Sequence, residues 1–321
     1  MSLKDKVMFI GLGNYGCKQG KIFFDMGYKV MFANGSEQDL KVLGNVPNIY
    51  RLNHFDGLGG HRELGIDLLA RNKEFVDALE NIKEEIVFPI SASAGSTGSG
   101  TAPIVEELVL NIDDSKIVCP INALPSSDES IIKHRNAYQA VQDLMELKES
   151  LGATFFINND VDKDYEYINR TFAELLDNFL TNNSYGALNN FDESERMEML
   201  RDSGAMVLSL GKLGTKVPTM IKKITNNGIF APIEDNKICE NIVVIHAGND
   251  NRDIETGSII AEVGKSKNVF EGYNNGDKGT LIAVSGLDYR KRLVSGCTPN
   301  ANPGSRTRNQ EHKRFALLCA A

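Results

Sequence analysis

Ser93-Ala94-Gly95-Ser96-Thr97-Gly98-Ser99-Gly100-Thr101 follows an apolar run, Glu85 to Ser91, and precedes a helical stretch from Ala102 to Leu110. Small residues between a strand and a helix let backbone N–H groups and hydroxyls approach a polyphosphate at the positive end of the helix dipole. The run is not a Walker loop, because no Lys follows the glycines as GxxxxGK[ST] requires. A flexible linker is the other reading of such a composition, and the strand-to-helix context argues against it.

Working outward, Val7 to Ile10 reads as a strand that ends in Gly11-Leu12-Gly13-Asn14-Tyr15-Gly16, a GxGxxG loop opening a second helix. The dinucleotide form of this motif asks for an acidic residue at the end of the second strand. That strand, Lys29 to Ala33, continues Asn34-Gly35-Ser36, with Glu37 one step late. Two glycine loops at strand ends of one sheet instead imply one nucleotide cradled from both sides.

Further strands are expected at Lys116 to Ile121 and Ala153 to Ile157, with an amphipathic helix over 129–151. Alternation of strands and helices predicts an α/β fold with a doubly wound parallel sheet. Ile168, Phe172, Leu175, Leu176 and Phe179 then fall at spacings of three and four, so 164–180 should be a long helix with one apolar face. Beyond it, strands at Ala205 to Leu210, Asn241 to His246, Asn268 to Tyr273 and Thr280 to Ser285, with a helix over 252–263, form a second, smaller α/β unit. The expected division is a nucleotide domain over 1–162, a central helix over 163–183, a second domain over 184–287 and a basic tail over 288–321.

The 321 residues are 41% hydrophobic and 24% charged, the range of a chain that folds. A net charge of −8 works against direct binding to nucleic acid or anionic membrane. No apolar stretch spans a bilayer, and the five cysteines contain no CxxC pair, so a reducing cytoplasm is the expected setting.

Residues 94–100 resemble the GGGTG[ST]G signature of the tubulin and FtsZ superfamily of self-assembling GTPases, with Ala94 and Ser96 in place of glycine. Further landmarks follow in order. Gly57-Leu58-Gly59-Gly60 resembles the family's γ-phosphate loop, although His61 and Arg62 replace its usual small residues. Gly13-Asn14-Tyr15-Gly16, followed by Lys18, resembles tubulin's GQCG, which implies Asn14 beside the phosphates and Mg²⁺. Pro125, Glu129 and Lys133 resemble the ribose loop. Tyr165 and Asn169, four apart and hence on one helix face, match the family's base-binding aromatic and amide. Asn190-Phe191-Asp192-Glu193-Ser194-Glu195 resembles its NxDxx[DE] loop. Tyr165 and Asn169 precede Glu195 by 30 and 26 residues, the intervals that tubulin has.

The resemblance implies GTP or GDP with Mg²⁺ as cofactors. It places Gly13, Asn14, Tyr15, Lys18, Gly59, Gly60, Gly95, Ser96, Thr97, Gly98, Ser99, Gly100, Glu129, Lys133, Tyr165 and Asn169 around the nucleotide. Asn190, Asp192 and Glu195 would follow the central helix at its far end, roughly 25 Å away, and act on the nucleotide of the next subunit in a head-to-tail filament. Read on their own, Glu129, Asp192 and Glu195 also suit acidic helix N-termini. The Glu-ended loop, the divergent glycine run and the basic tail are most similar to the TubZ branch, plasmid and phage proteins that segregate DNA through a DNA-binding adaptor, TubR. A division protein of FtsZ type, a filament that binds GTP without turnover and a nicotinamide-dependent oxidoreductase built on Gly11 to Gly16 are the rival readings.

Overall fold

The computed structural model describes residues 3–183, 191–225, 228–231, 238–248, 254–276 and 278–289. Its first half alternates β1 (Val7–Leu12), α1 (Gly13–Asp25), β2 (Lys29–Asn34), α2 (Glu37–Lys41), β3 (Ile49–Arg51), α3 (Gly65–Ala70), α4 (Lys73–Glu80), β4 (Ile86–Ala92), α5 (Thr97–Ile112), β5 (Ile117–Val118), β6 (Ile121–Leu124), α6 (Ile131–Leu147) and β7 (Ala153–Asn158). The strands run parallel in the order β3-β2-β1-β4-β6-β7, with β5 beside β4. Successive side chains of a strand point to opposite faces. Val7 and Phe9 therefore join one core while Met8, Ile10 and Leu12 join the other, and β1 is buried along its whole length.

Three local outcomes differ from the sequence expectation. The single strand over 116–121 is two, β5 and β6, separated at Pro120, which has no N–H to give a ladder. β3 is a three-residue edge strand that carried too little periodicity to be read. Helix α5 starts at Thr97 rather than Ala102. The hydroxyls and glycines of the signature loop thus form its first turns.

After β7 come α7 (Tyr165–Thr181), α8 (Glu193–Arg201), β8 (Gly204–Gly211), α9 (Val217–Thr225), β9 (Cys239–Ala247), α10 (Thr256–Val263), β10 (Ser266–Asn274) and β11 (Thr280–Leu287). β11 lies antiparallel between β8 and β9, and β10 is parallel to β9. The two halves are one sheet of eleven described strands, joined where Ala153 and Thr154 of β7 pair with Gly204 and Ala205 of β8.

Across this junction lies α7, whose N-cap Asp164 accepts from the N–H groups of Glu166 and Tyr167. Its apolar face is the one the spacing predicts: Ile168, Phe172, Leu175, Leu176 and Phe179 are all buried. Phe172 meets Phe155 of β7 at 5.7 Å and Phe230 of the second half at 6.0 Å, so one aromatic cluster fastens α7 to both. Cys17, Cys119 and Cys239 are buried thiols. Asp288 and Tyr289, read from the sequence as the start of a low-order tail, are docked: Tyr289 is buried and its hydroxyl shares a hydrogen bond of 2.7 Å with Thr154. The rest of the tail, from Arg290, and Asn190 lie outside the described residues. Among the described residues no helix is long and apolar enough to cross a membrane.

Candidate functional site

In a doubly wound sheet, ligands bind at the carboxyl ends of the strands where the strand order reverses. Here the reversal is at β1, flanked by β2 on one side and β4 on the other. A cleft of about 560 Å³ opens at that point, within the range of small-molecule sites. The two glycine loops meet in it. Gly13 has φ +71°, and a Cβ there would stand 2.9 Å from the Gly98 nitrogen; a Cβ on Gly98 would stand 2.7 Å from the Leu12 carbonyl oxygen. Only glycine at both positions allows that approach.

Of the residues expected to surround a nucleotide, Gly13, Asn14, Tyr15 and Lys18 line one wall, and Gly59 and Gly60 another. Gly95, Ser96, Thr97 and Gly98 form the floor side at the start of α5; Glu129 and Lys133 stand beside them, and Tyr165 and Asn169 close the far side. Ser99 and Gly100 are not brought to the cleft. The Ser99 hydroxyl turns back onto the Gly95 carbonyl, and Gly100 is packed so close to the Arg62 carbonyl that a Cβ would stand 2.2 Å from it. These two residues build the loop rather than line it.

The cleft also holds Asn34, Ser36 and Asp39, which sequence reasoning missed. Ser36 caps α2 by accepting from the Asp39 N–H, and Asn34 donates to the Asp39 carboxylate at 3.2 Å. The signal was there as Ser36 followed three residues later by an acid, a helix start that turns a carboxylate into the site. Among the described residues no group of three or more His, Cys, Asp and Glu comes together as a metal centre. The oxygens that fit Mg²⁺ are those of Asn14 and Asp39, and such a set suits an ion held mainly by a ligand's phosphates and water.

Polar atoms left over in the cleft indicate its ligand. The hydroxyl of Tyr15 and the Oδ1 of Asn169 are enclosed without a partner; behind the cleft wall, the Gln19 Nε2 donates to the Asn169 carbonyl at 3.1 Å. Buried polar groups are almost always hydrogen-bonded in finished structures. Tyr165 is 42% exposed, a face free for stacking, while Glu129 and Lys133 form an ion pair of 3.0 Å at the rim.

Behind the loop lies a buried charged cluster. Pro103 inside α5 has no N–H for the Ser99 carbonyl four residues back, and the Arg62 guanidinium donates to that carbonyl instead, at 2.6 Å. The same nitrogen reaches Asp143 of α6 at 2.6 Å, and Asn136 of α6 donates to the Gly60 carbonyl. Glu106 of α5 is also enclosed: burial first, and the charge of Asp143 second, push its carboxyl up to about 8. A carboxyl raised in the folded state gives stability that is fully present below the ordinary carboxylate range and is lost as pH rises through about 8. Urea unfolding should therefore show stability falling by about 1 kcal/mol or more between pH 6 and pH 9. Glu106→Gln should flatten that slope and be the more stable protein at pH 9; an unchanged slope would remove Glu106 as its source.

Asp192 and Glu195 are at the other end of α7 from Tyr165 and Asn169, at the start of α8. They form a reciprocal cap: Asp192 Oδ1 accepts from the N–H groups of Ser194 and Glu195, and Glu195 Oε2 accepts from the Asp192 N–H at 2.7 Å. The helix-start role that these acids suit on sequence alone is thus real. It occupies one oxygen of each, and Asp192 is exposed.

No family model matches the chain. The tubulin-like protein TubZ of Clostridium botulinum C phage is 25% identical over 303 residues, covering 91% of this chain and 82% of that protein. The crystal structure of Clostridium botulinum phage c-st TubZ superposes with a TM-score of 0.80 at 22% identity, over 92% of this chain and 96% of that one. CetZ2 from Haloferax volcanii, a GTPγS-bound protofilament, superposes with a TM-score of 0.74 at 19% identity, over 97% and 98% of the two chains. With a glycine-loop cleft at the switch point, a helix joining it to a capped acidic turn and a tubulin-like relative matched over nine-tenths of this chain, the chain has the tubulin and FtsZ fold and is similar in sequence to the TubZ branch of that superfamily.

Proposed function

We propose that the chain binds GTP in this cleft, polymerises head to tail, and hydrolyses the GTP where the acidic turn of one copy meets the cleft of the next. The observation that carries this reading is the separation of the parts along α7. Tyr165 and Asn169 line the cleft at one end, and Asp192 and Glu195 stand at the other, outside the lining of that cleft. Inside the cleft, Asp39 is held by Asn34 and Glu129 is paired with Lys133. Phosphoryl transfer needs a positioned water and charge stabilisation, and a second copy supplies the former through the unengaged oxygens of its two acids. Residues 1–162 then act as the nucleotide domain and 184–287 as the domain that activates the neighbour's site.

Guanine fits the leftover chemistry. Its Watson–Crick edge offers N–H donors to the unpartnered Oδ1 of Asn169, and its ring can stack on Tyr165, an interaction worth roughly 1–3 kcal/mol in nucleic-acid binders. Mg²⁺ would be held by the phosphates with Asn14 and Asp39 at hand, and would neutralise charge on them. The same reading has the filaments move plasmid or phage DNA through a TubR-type adaptor gripping the C-terminal tail, because a chain of net charge −8 is poorly suited to hold DNA itself.

Light scattering at 90° with parallel phosphate release, after adding GTP, GDP or NAD to concentrated protein, tests the reading. Scattering and release with GTP alone are expected. Silence with GTP alongside NAD binding would hand the cleft to the oxidoreductase reading, and scattering with no phosphate release would leave a filament without turnover.

A further inference from the structure

The acidic turn is held by a residue that touches neither the cleft nor the exposed acids' outer face. Arg196, one position after Glu195, is 3% exposed. Its guanidinium leaves α8 and enters the end of α7, where Nε donates to the Phe179 carbonyl at 2.8 Å and Nη2 donates to the Asn182 carbonyl. The last carbonyls of a helix have no partner within it and carry its negative pole, so a cation is favoured there. Lys278 supplies a second one, donating to the Thr181 hydroxyl at 2.8 Å.

Satisfying carbonyls does not require burying an arginine, which is costly to desolvate; burial lowers its pKa to about 10 even with Asp192, Glu195 and Glu193 opposing. What the arginine adds is a fixed geometry. Its planar fork stands 4.6 Å over the ring of Phe191, the residue before Asp192, and that ring is buried between Phe179 and Phe270. The turn that bears the acids is thereby clamped on both flanks to the C-terminal end of α7. Lys6 completes the setting by pairing Glu193 at 2.9 Å and Glu85 at 3.2 Å.

We infer that Arg196 is a positioning residue that locks the Asp192–Glu195 turn to the end of α7 and so sets where the acids arrive in the neighbouring copy's cleft. The inference rests on hydrolysis at the junction between copies. It does not require Arg196 to touch nucleotide. Arg196→Met, close in length and without donors, should bind GTP as a monomer with affinity within about threefold of wild type while phosphate release falls on the order of tenfold or more. Arg196→Lys keeps the charge but not the fork and should lie between the two.

Complementation separates positioning from damage. Asn14 is exposed, and Asn14→Asp sets a like charge against the phosphates without disturbing the core. A mixture of Arg196→Met and Asn14→Asp chains should release phosphate faster than either alone, because sound clefts of the first meet sound acids of the second. Wild-type turnover in Arg196→Met, or GTP affinity lost in proportion to turnover with no gain on mixing, would overturn the inference. Where Arg196→Met does not fold, full turnover in Arg196→Lys would overturn it in the same way. An unmutated chain that releases no phosphate would instead sink the reading of the function, a result distinct from either.

Discussion

Glu195→Gln is expected to form filaments on GTP that persist, with phosphate release lowered by about 10² to 10³. The choice of Gln matters because Glu195 has two jobs. Its Oε2 closes the cap at the start of α8, and Gln at this position of a capping box can accept the same N–H. The substitution therefore removes the charge and spares the fold. Glu195→Ala removes both and should add a stability loss of about 1 kcal/mol. Asp192→Asn works the same way on the other acid, since Asn is as good an N-cap as Asp. Circular dichroism and thermal midpoints within a few degrees of wild type, with turnover collapsed, would place the loss in the chemistry. Turnover at the wild-type rate in Glu195→Gln would mean that the carboxylate does not order the water, and the acids would be left as a helix start alone.

How far the sequence led can be read from these residues. The strand ends that carry the cleft were legible because parallel strands buried on both faces are short apolar runs stopped by glycine: Val7 to Leu12 and Ile86 to Ala92 are clear examples. α7 was legible from its spacing, and with it the separation of Tyr165 and Asn169 from the acids. The early start of α5 was hidden, because Gly98 and Gly100 are poor helix formers on their own. Their close neighbours lie far away in sequence: a Cβ on Gly98 would stand 2.7 Å from the Leu12 carbonyl oxygen, and a Cβ on Gly65 would stand 2.2 Å from the Gly100 oxygen. Asp39 was hidden behind Glu37 for a related reason. Glu37 satisfies the motif's spacing nearly enough to draw the eye, yet it pairs with Lys41 on the surface, and the helix cap at Ser36 sends Asp39 inward. A tertiary contact decided the first outcome, and a local cap decided the second.

That same packing makes the loss of Arg62 costly to stability. Arg62→Ala takes the guanidinium away from the buried Asp143 carboxylate and from the Ser99 carbonyl, to which Pro103 has no N–H to give. Removing one partner of a buried pair costs about 3–5 kcal/mol, far more than the pair itself contributes, because the remaining charge stays desolvated. Urea denaturation should show that loss. Asp143→Asn, which leaves Arg62 uncompensated, should show a comparable one. The double change Arg62→Met with Asp143→Leu should be milder than the sum of its parts, since it leaves no uncompensated charge. The effect on the site follows from position: Arg62 anchors the loop carrying Gly59 and Gly60 onto α5 and α6, with Asn136 holding the Gly60 carbonyl beside it. Arg62→Ala should therefore weaken nucleotide binding as well as stability. A cost below about 1 kcal/mol, the usual size for an exposed ion pair, would show that the glycine contacts hold the loop unaided and that the buried cation is dispensable.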